Sequence, residues 1–287
     1  MSIMTHPNKT ILAVLAHPDD ESFGMGGTLA LYASKGVDVH LICATRGEAG
    51  LVDAEFMKGF KSIAELREAE LNCAAKALGL KSVSYLDYRD SGMVGHEDNH
   101  HRDSLFNAPV DKVAEKIVAH IRRLQPQVVL TFDEVGGYHH PDHIAINLAT
   151  VRAFQAAGAS DDYPKAGKPF QPEKLYFSAL SRKRLRRIVT IMRLTGKDPS
   201  KVGRNKDIDL TMLTSDRDTP PHVTINYRSV QERKDKADAC HASQLGGWGT
   251  HFSLIDFISK LIGRKNIFTR AYPPAPDGFR AHDLFAD

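Results

Sequence analysis

The stretch ILAVLAHPDDE, residues 11–21, decides the fold class of this chain. Its first six residues are continuously apolar, which is typical of a parallel strand covered by helices on both faces. Imidazole and carboxylate side chains follow at once, where the strand ends. Because ligands of open parallel sheets bind beyond the carboxyl ends of the strands, this stretch predicts a site as well as a fold.

Strand and helix patterns alternate through the rest of the first half. Strands are predicted at residues 37–44, 83–86 and 128–132, and helices at 26–34, 62–79, 109–126 and from Pro141 onward. The second helix opens with a capping box, Ser62 to Glu65, and the last directs Ile144, Leu148 and Val151 inward. The alternation predicts an α/β protein with a Rossmann-like, mainly parallel sheet flanked by helices.

The pattern becomes polar and rich in Gly and Pro between residues 158 and 174. We therefore predict one domain, 1–287, with a catalytic core at 1–160 and a smaller C-terminal addition at 161–287 that frames the site. Within the addition, strands are predicted at residues 174–179 and 222–225, and helices at 230–240 and 252–262.

Composition excludes several classes of protein. Lys and Arg number 38 against 35 Asp and Glu, and a net charge of +3 is too small to indicate a nucleic-acid partner. No apolar run is long enough to span a bilayer, and no signal peptide is recognised. The three scattered cysteines favour a reducing compartment over a disulfide framework or a thiolate metal site. These features predict a cytoplasmic protein, with homo-oligomer formation left open.

A second hexamer, YHHPDH at residues 138–143, follows the fourth predicted strand. His17 and Asp20 share one tight loop, and His143 falls in the first turn of a helix. Two imidazoles and one carboxylate leave a coordination position open, as in a catalytic metal site. Asp19 is then placed to accept a proton, and His140 to meet a developing oxyanion. One such hexamer alone is also typical of an ordinary turn, but two at the ends of strands in one sheet favour a site.

These residues resemble the PIG-L/LmbE-type zinc deacetylase family, which carries an A-H-P-D-D-E motif and a later H-P-D-H motif. Here the motifs stand at residues 16–21 and 140–143. Residues 47–48, 67–70 and 89–93 are also similar to the family, the last of these to mycothiol-biosynthetic deacetylases and mycothiol-conjugate amidases. Residues 240–244, CHASQ, resemble its H-x-[ST]-Q segment.

The resemblance implies a Rossmann-like fold and removal of an N-acetyl group from a small-molecule amino sugar of the N-acetylglucosamine type. It implies His17, Asp20 and His143 as ligands of Zn²⁺, with Fe²⁺ as the alternative metal. Asp19 is implied as the general base, which later protonates the departing amine.

The resemblance also implies roles for residues around the metal. His140 is implied to stabilise the tetrahedral intermediate, with Asp142 supporting it and Tyr138 near the acyl carbonyl. The substrate side is assigned to Glu48, Arg67 and Asp90.

Other functions remain open at this point. An amidase could cleave a larger acyl group from a thiol conjugate, and two histidines with a carboxylate also suit a non-haem Fe(II) oxygenase. A nucleotide-binding module is disfavoured because residues 24–27 do not continue into a G-x-G-x-x-G fingerprint. Trp248 and the basic run at residues 182–187 have no assigned role.

Overall fold

The computed structural model describes residues 9–179, 182–202, 208–214, 220–245 and 264–286. The predicted helix at 252–262 and Trp248 lie outside these residues. Within them, seven strands form one sheet in the order β3-β2-β1-β4-β5-β7-β6. Their bounds are β1 Thr10–Leu15, β2 Asp38–Cys43, β3 Ser82–Tyr85, β4 Val128–Thr131, β5 Lys174–Ser178, β6 Val223–Asn226 and β7 Lys265–Tyr272.

Strand direction divides the sheet. β1 to β5 pair in parallel, whereas β7 pairs antiparallel with both β5 and β6. The strands after residue 160 therefore continue the sheet of the first part, which confirms the predicted α/β fold. The strand order reverses between β1 and β4, and such a reversal opens a crevice at the carboxyl ends of the two strands.

Helices cover the sheet, and the described residues contain nine. They are α1 Asp20–Ser34, α2 Ile63–Leu78, α3 Val110–Leu124, α4 Gly136–His139, α5 Pro141–Ala156, α6 Arg182–Leu194, α7 Leu210–Leu213, α8 Gln231–Cys240 and α9 Ala242–Leu245. The capping box at Ser62 is confirmed, because its side chain accepts a hydrogen bond from the Glu65 amide at 3.2 Å. None of the helices in the described ranges is long and apolar enough to cross a bilayer.

The two strands at the reversal of strand order, β1 and β4, are buried throughout. All six residues of β1 and all four of β4 are buried, as the unbroken apolar runs predict for strands covered on both faces. These strands lie within the largest cluster of buried apolar side chains. The crevice between β1 and β4 is therefore bounded by strands of the closely packed core.

The structure corrects two predictions about helices. α1 begins at Asp20, six residues before the predicted start, so the glycines of residues 24–27 lie inside it. Gly27 is needed there because a Cβ atom would lie 2.1 Å from the ring of Tyr227. On α5, Leu148 is 51% exposed, and the buried face instead carries Ile146, Ala149 and Ala153.

The structure also corrects the expectation that the cysteines stay unpaired. Cys73 of α2 and Cys240 of α8 form a disulfide although they are 167 residues apart, while Cys43 is free and buried. The two helices pack side by side, and this contact depends on the fold rather than on cysteine spacing. The disulfide therefore joins the core to the C-terminal part.

Candidate active site

Both histidine hexamers lie at the crevice between β1 and β4. His17 follows β1, and His143 lies in the first turn of α5 beyond β4. Helix α5 begins as its sequence predicts, with Pro141 in the first turn and the His140 side chain accepting a hydrogen bond from the Asp142 amide at 3.1 Å. His17 and Asp142, which are 125 positions apart in sequence, are thus brought into contact.

Hydrogen bonds orient the imidazole rings of His17 and His143. His17 Nε2 lies 3.1 Å from Asp142 Oδ2 and 3.4 Å from Asp90 Oδ1, and since carboxylates only accept, this nitrogen carries a proton. Despite the burial of the ring, these carboxylates and that of Asp20 raise the pKa of His17 well above its usual value. His143 Nδ1 donates to the Gly136 carbonyl at 3.2 Å, so its Nε2 keeps a lone pair. The nitrogens by which the two rings face each other, His17 Nδ1 and His143 Nε2, lie 3.2 Å apart.

Asp20 completes the group. Its Oδ1 lies 3.4 Å from His143 Nε2, and its Oδ2 lies 3.5 Å from His17 Nδ1. Donors bound at about 2.0–2.1 Å to a tetrahedral ion lie about 3.3–3.4 Å from one another. The separations in this group, 3.2 to 3.5 Å, therefore fit a divalent cation.

His140 lies beside this group, and its ring centroid is 4.6 Å from that of His17. Three imidazoles, His17, His140 and His143, are close enough to share an ion. However, His140 Nδ1 accepts from the Asp142 amide, and burial lowers the pKa of the ring well below its usual value. The neutral ring then carries its proton on Nε2, which makes that atom a donor rather than a ligand.

Asp142 is placed differently from the expectation that it supports His140. Its carboxylate is fully buried and contacts His17 Nε2, and it accepts from the Ser91 hydroxyl at 2.5 Å and the Ser91 amide at 2.9 Å. Only the backbone amide of Asp142 reaches His140. Asp142 therefore orients a candidate ligand, as carboxylates commonly do for metal-binding histidines.

Asp19 has an unusual backbone and a cationic neighbour. Its φ of 124° and ψ of −28° lie outside the regions that residues with a Cβ normally adopt. Arg67 Nη2 donates to Asp19 Oδ2 at 2.8 Å and also to the Pro18 carbonyl. Burial raises the pKa of the Asp19 carboxyl to about 7 despite the opposing charge of Arg67.

The three residues assigned to the substrate lie around this centre. Arg67 is only 4% exposed and contacts Asp19, and Asp90 is buried against His17. Half-buried Glu48 accepts from the Asp90 amide at 3.1 Å. Gly47, with φ of 71°, lets Arg67 approach, because a Cβ there would lie 2.0 Å from Arg67 Nη1.

Tyr138 lies over the two imidazoles of the second hexamer. Its ring centroid is 5.0 Å from that of His143 and 5.8 Å from that of His140. Burial raises the pKa of the phenol, so the hydroxyl stays protonated at neutral pH. The structure thus brings all ten sequence-predicted site residues to one edge of the sheet. Three of them make contacts that the sequence did not predict, because Asp142 and Asp90 contact His17 and Arg67 contacts Asp19.

Three residues were given no role by sequence reasoning. Ser91 holds Asp142, while Glu21 and His241 form a buried pair whose Oε1 and Nε2 atoms are 2.8 Å apart. Ser91 and His241 fall in segments that resemble the family, at residues 89–93 and 240–244, and Glu21 ends the first motif. The motifs therefore mark these three residues, but they do not show which residues each one contacts.

Fold and site together define an α/β protein with a candidate divalent-metal centre at a strand-order reversal. The family profile described as "PIG-L: GlcNAc-PI de-N-acetylase" matches residues 12–154. A Thermobifida fusca protein named 1D-myo-inositol 2-acetamido-2-deoxy-alpha-D-glucopyranoside deacetylase is 36% identical over 97% of this chain and 99% of its own length. The chain belongs to the PIG-L deacetylase family, which confirms the resemblance seen in the sequence.

Solved structures show the same fold in proteins of diverged sequence. N,N'-diacetylchitobiose deacetylase from Pyrococcus horikoshii matches with a TM-score of 0.63 and 20% identity, covering 92% of this chain and 84% of its own. A 4-carboxy-2-hydroxymuconate hydratase from Pseudomonas putida matches with a TM-score of 0.60 and 18% identity, covering 94% and 99%. Because one fold serves both proteins, the site rather than the fold must indicate the function.

Proposed function

We propose that the protein hydrolyses the N-acetyl group of an N-acetylglucosaminyl derivative of myo-inositol, releasing acetate and a free amine. The observation that carries the proposal is the group formed by His17 Nδ1, His143 Nε2 and the Asp20 carboxylate, whose atoms lie 3.2 to 3.5 Å apart. Family membership and near full-length similarity to a protein named as an inositol-glycoside deacetylase support the substrate class.

We assign the metal to His17, Asp20 and His143, with Zn²⁺ as the proposed ion and Fe²⁺ as the alternative. When bound, such an ion supplies a Lewis acid that activates water and polarises the acyl carbonyl. Asp142 and Asp90 hold His17 from its far side. The Gly136 carbonyl does the same for His143, so both rings are held in orientations suited to a ligand.

Asp19 is the proposed proton carrier. Its carboxylate accepts the proton of the attacking water and then delivers it to the amide nitrogen, whose bond to the acyl carbon breaks. Arg67, donating to Asp19 Oδ2, fixes the direction of the carboxylate. The acyl carbon leaves as acetate and the nitrogen as an amine, so atoms and protons balance.

His140 is the proposed donor to the oxyanion that develops on the acyl oxygen. The ring is held through Nδ1 by the Asp142 amide, and its Nε2 proton is free to meet that charge. Tyr138, next to His140, is proposed to face the same acyl group. Glu48, Arg67 and Asp90 form the proposed amino-sugar side, where carboxylates accept hydrogen bonds from hydroxyl groups.

The proposal names a small-molecule partner only. The cytoplasmic location predicted from the sequence stays a prediction, and the Cys73–Cys240 disulfide favours a more oxidising environment.

Acetate release tests the proposed function. Purified protein is assayed for metal content and then with the N-acetylglucosaminyl inositol, with free N-acetylglucosamine and with an amide of a thiol conjugate. Preferred acetate release from the inositol glycoside, abolished by chelation and restored by Zn²⁺ or Fe²⁺, is the expected result. Preferred cleavage of the thiol conjugate would show an amidase, and oxygen consumption without acetate would show an oxygenase.

A further inference from the structure

Glu21 and His241 meet in the interior although 220 residues separate them in sequence. Glu21 Oε1 and His241 Nε2 are 2.8 Å apart, and both side chains are fully buried. Neither touches the three proposed metal ligands in any hydrogen bond of the described residues. The pair therefore needs an explanation other than coordination.

The second carboxylate oxygen of Glu21 reaches Asp19. Glu21 Oε2 accepts a hydrogen bond from the Asp19 backbone amide at 3.0 Å. Asp19 is the residue with φ of 124°, a conformation that persists only when its surroundings hold it in place. A carboxylate acceptor makes a stronger hydrogen bond than a neutral one. This hydrogen bond also fixes the orientation of the peptide plane that carries the Asp19 amide.

His241 in turn fixes Glu21. Its Nδ1 is buried without a hydrogen-bond partner among the described residues, so the contact of its Nε2 with Glu21 orients the ring. The chain on either side of His241 is anchored to α2. Cys240 is bonded to Cys73, and Ser243 donates its amide and its hydroxyl to Glu70, both at 2.8 Å.

We propose that His241 and Glu21 are positioning residues that act in series on Asp19, so that the C-terminal part sets the geometry of the proton carrier. This inference rests on the proposed function only in taking Asp19 as that carrier. Its structural part, that the Glu21–His241 pair holds the Asp19 backbone, does not depend on the substrate.

A matched pair of amide substitutions tests the proposal. The side-chain nitrogen of His241→Gln reaches about as far as Nε2 and can donate to Glu21, whereas that of His241→Asn is too short. We expect His241→Asn to lower kcat about 10–100-fold, with KM and metal content changed less than about twofold, because small misplacements of reacting groups are costly. His241→Gln should recover most of kcat.

Hydrogen exchange gives a readout that does not depend on activity. In metal-loaded protein, peptides spanning residues 16–23 should exchange faster at the Asp19 amide in His241→Asn than in His241→Gln or wild type. Ser243→Ala is the control, because it removes a buried hydrogen bond in the same segment that leads to Glu70 rather than to Asp19. It should leave kcat and Asp19 exchange near the wild-type values.

Three outcomes would overturn the inference. They are equal kcat for the Gln and Asn variants, unchanged exchange at Asp19, and loss of metal in His241→Asn, which would show an effect on the ligands instead. A wild-type protein that releases no acetate refutes the proposed function, but the exchange comparison still decides the positioning role.

Discussion

The two halves of the sheet contribute different things to this protein. The first half, residues 9–156, carries β1 to β4 and all ten proposed site residues, whereas the second half, residues 174–286, carries β5 to β7 and none of them. Parallel strands end together at one edge, so their following loops converge. In the second half, β7 runs antiparallel to both β5 and β6, so it ends at the opposite edge of the sheet. The second half instead supports the first through His241 and Cys240.

The sharpest test of this division is Asp19→Asn. Amide for carboxylate removes the proton acceptor in the first half while keeping the size of the side chain, and loss of a general base costs about 10²–10⁴ in rate. We expect kcat for acetate release to fall by this factor with metal content unchanged. Asp161→Asn, at an exposed loop carboxylate, should leave kcat unchanged. Loss of metal from Asp19→Asn would make Asp19 a ligand.

A smaller effect is expected for His140→Ala. A donor that meets charge only in the transition state contributes about 10²–10³ to kcat and little to substrate binding. Steady-state kinetics should therefore show a lower kcat with KM changed far less. The matched change in the second half is His282→Ala, at an exposed histidine whose loss should have no effect. If His140→Ala binds metal poorly, the ligand assignment must change.

Ser91→Ala tests whether Asp142 supports the metal site rather than His140. The hydroxyl holds Asp142 Oδ1, and Asp142 orients His17. Removing such an outer contact typically weakens metal affinity about 10–100-fold. Competition with a chelating dye should show this loss. Ser82→Ala breaks a comparable contact with His40 on the same sheet and should leave affinity unchanged. Full affinity in Ser91→Ala would contradict the proposed support.

Cys73→Ser should affect catalysis least. Loss of the disulfide raises the entropy of the unfolded chain, and such losses typically cost about 2–4 kcal/mol of unfolding free energy. Urea unfolding should show this decrease, while kcat changes less than for Asp19→Asn, His140→Ala or His241→Asn. Reductant should destabilise the wild type to the same extent and should not affect the variant. A loss of kcat as large as that expected for His241→Asn would mean that the disulfide also helps to position Asp19.

Local patterns explain which features the sequence predicted. The buried run at residues 11–16, the cap at Ser62 and the proline at position 141 each act within a few residues, and each was predicted. The two hexamers could also be placed, because strands of one parallel sheet share an edge. Contacts set by tertiary packing could not be predicted. The Asp142 carboxylate contacts His17, and Gly27 lies inside a helix where Tyr227 leaves no room for a side chain.

The cysteine pairing is the clearest case of this limit on sequence reasoning. Nothing in the spacing of Cys73 and Cys240 distinguishes a bonded pair from two free thiols. Their pairing depends on α2 and α8 lying side by side, and that contact joins the two halves of the sheet. Glu21 and His241 show the same limit. The motifs that contain them are recognisable in the sequence, but their contact with each other depends on the fold.

The disulfide also makes the chain a closed covalent ring from Cys73 to Cys240, which contains the second hexamer and the connection between the halves. A single backbone break inside the ring, for example after exposed Lys165, would divide the polypeptide without separating its pieces. Trypsin-nicked protein would migrate as one band on a non-reducing denaturing gel and as two after reduction. Proteolytic damage in this region would therefore leave the second half, with His241, covalently tethered to the piece that carries both hexamers.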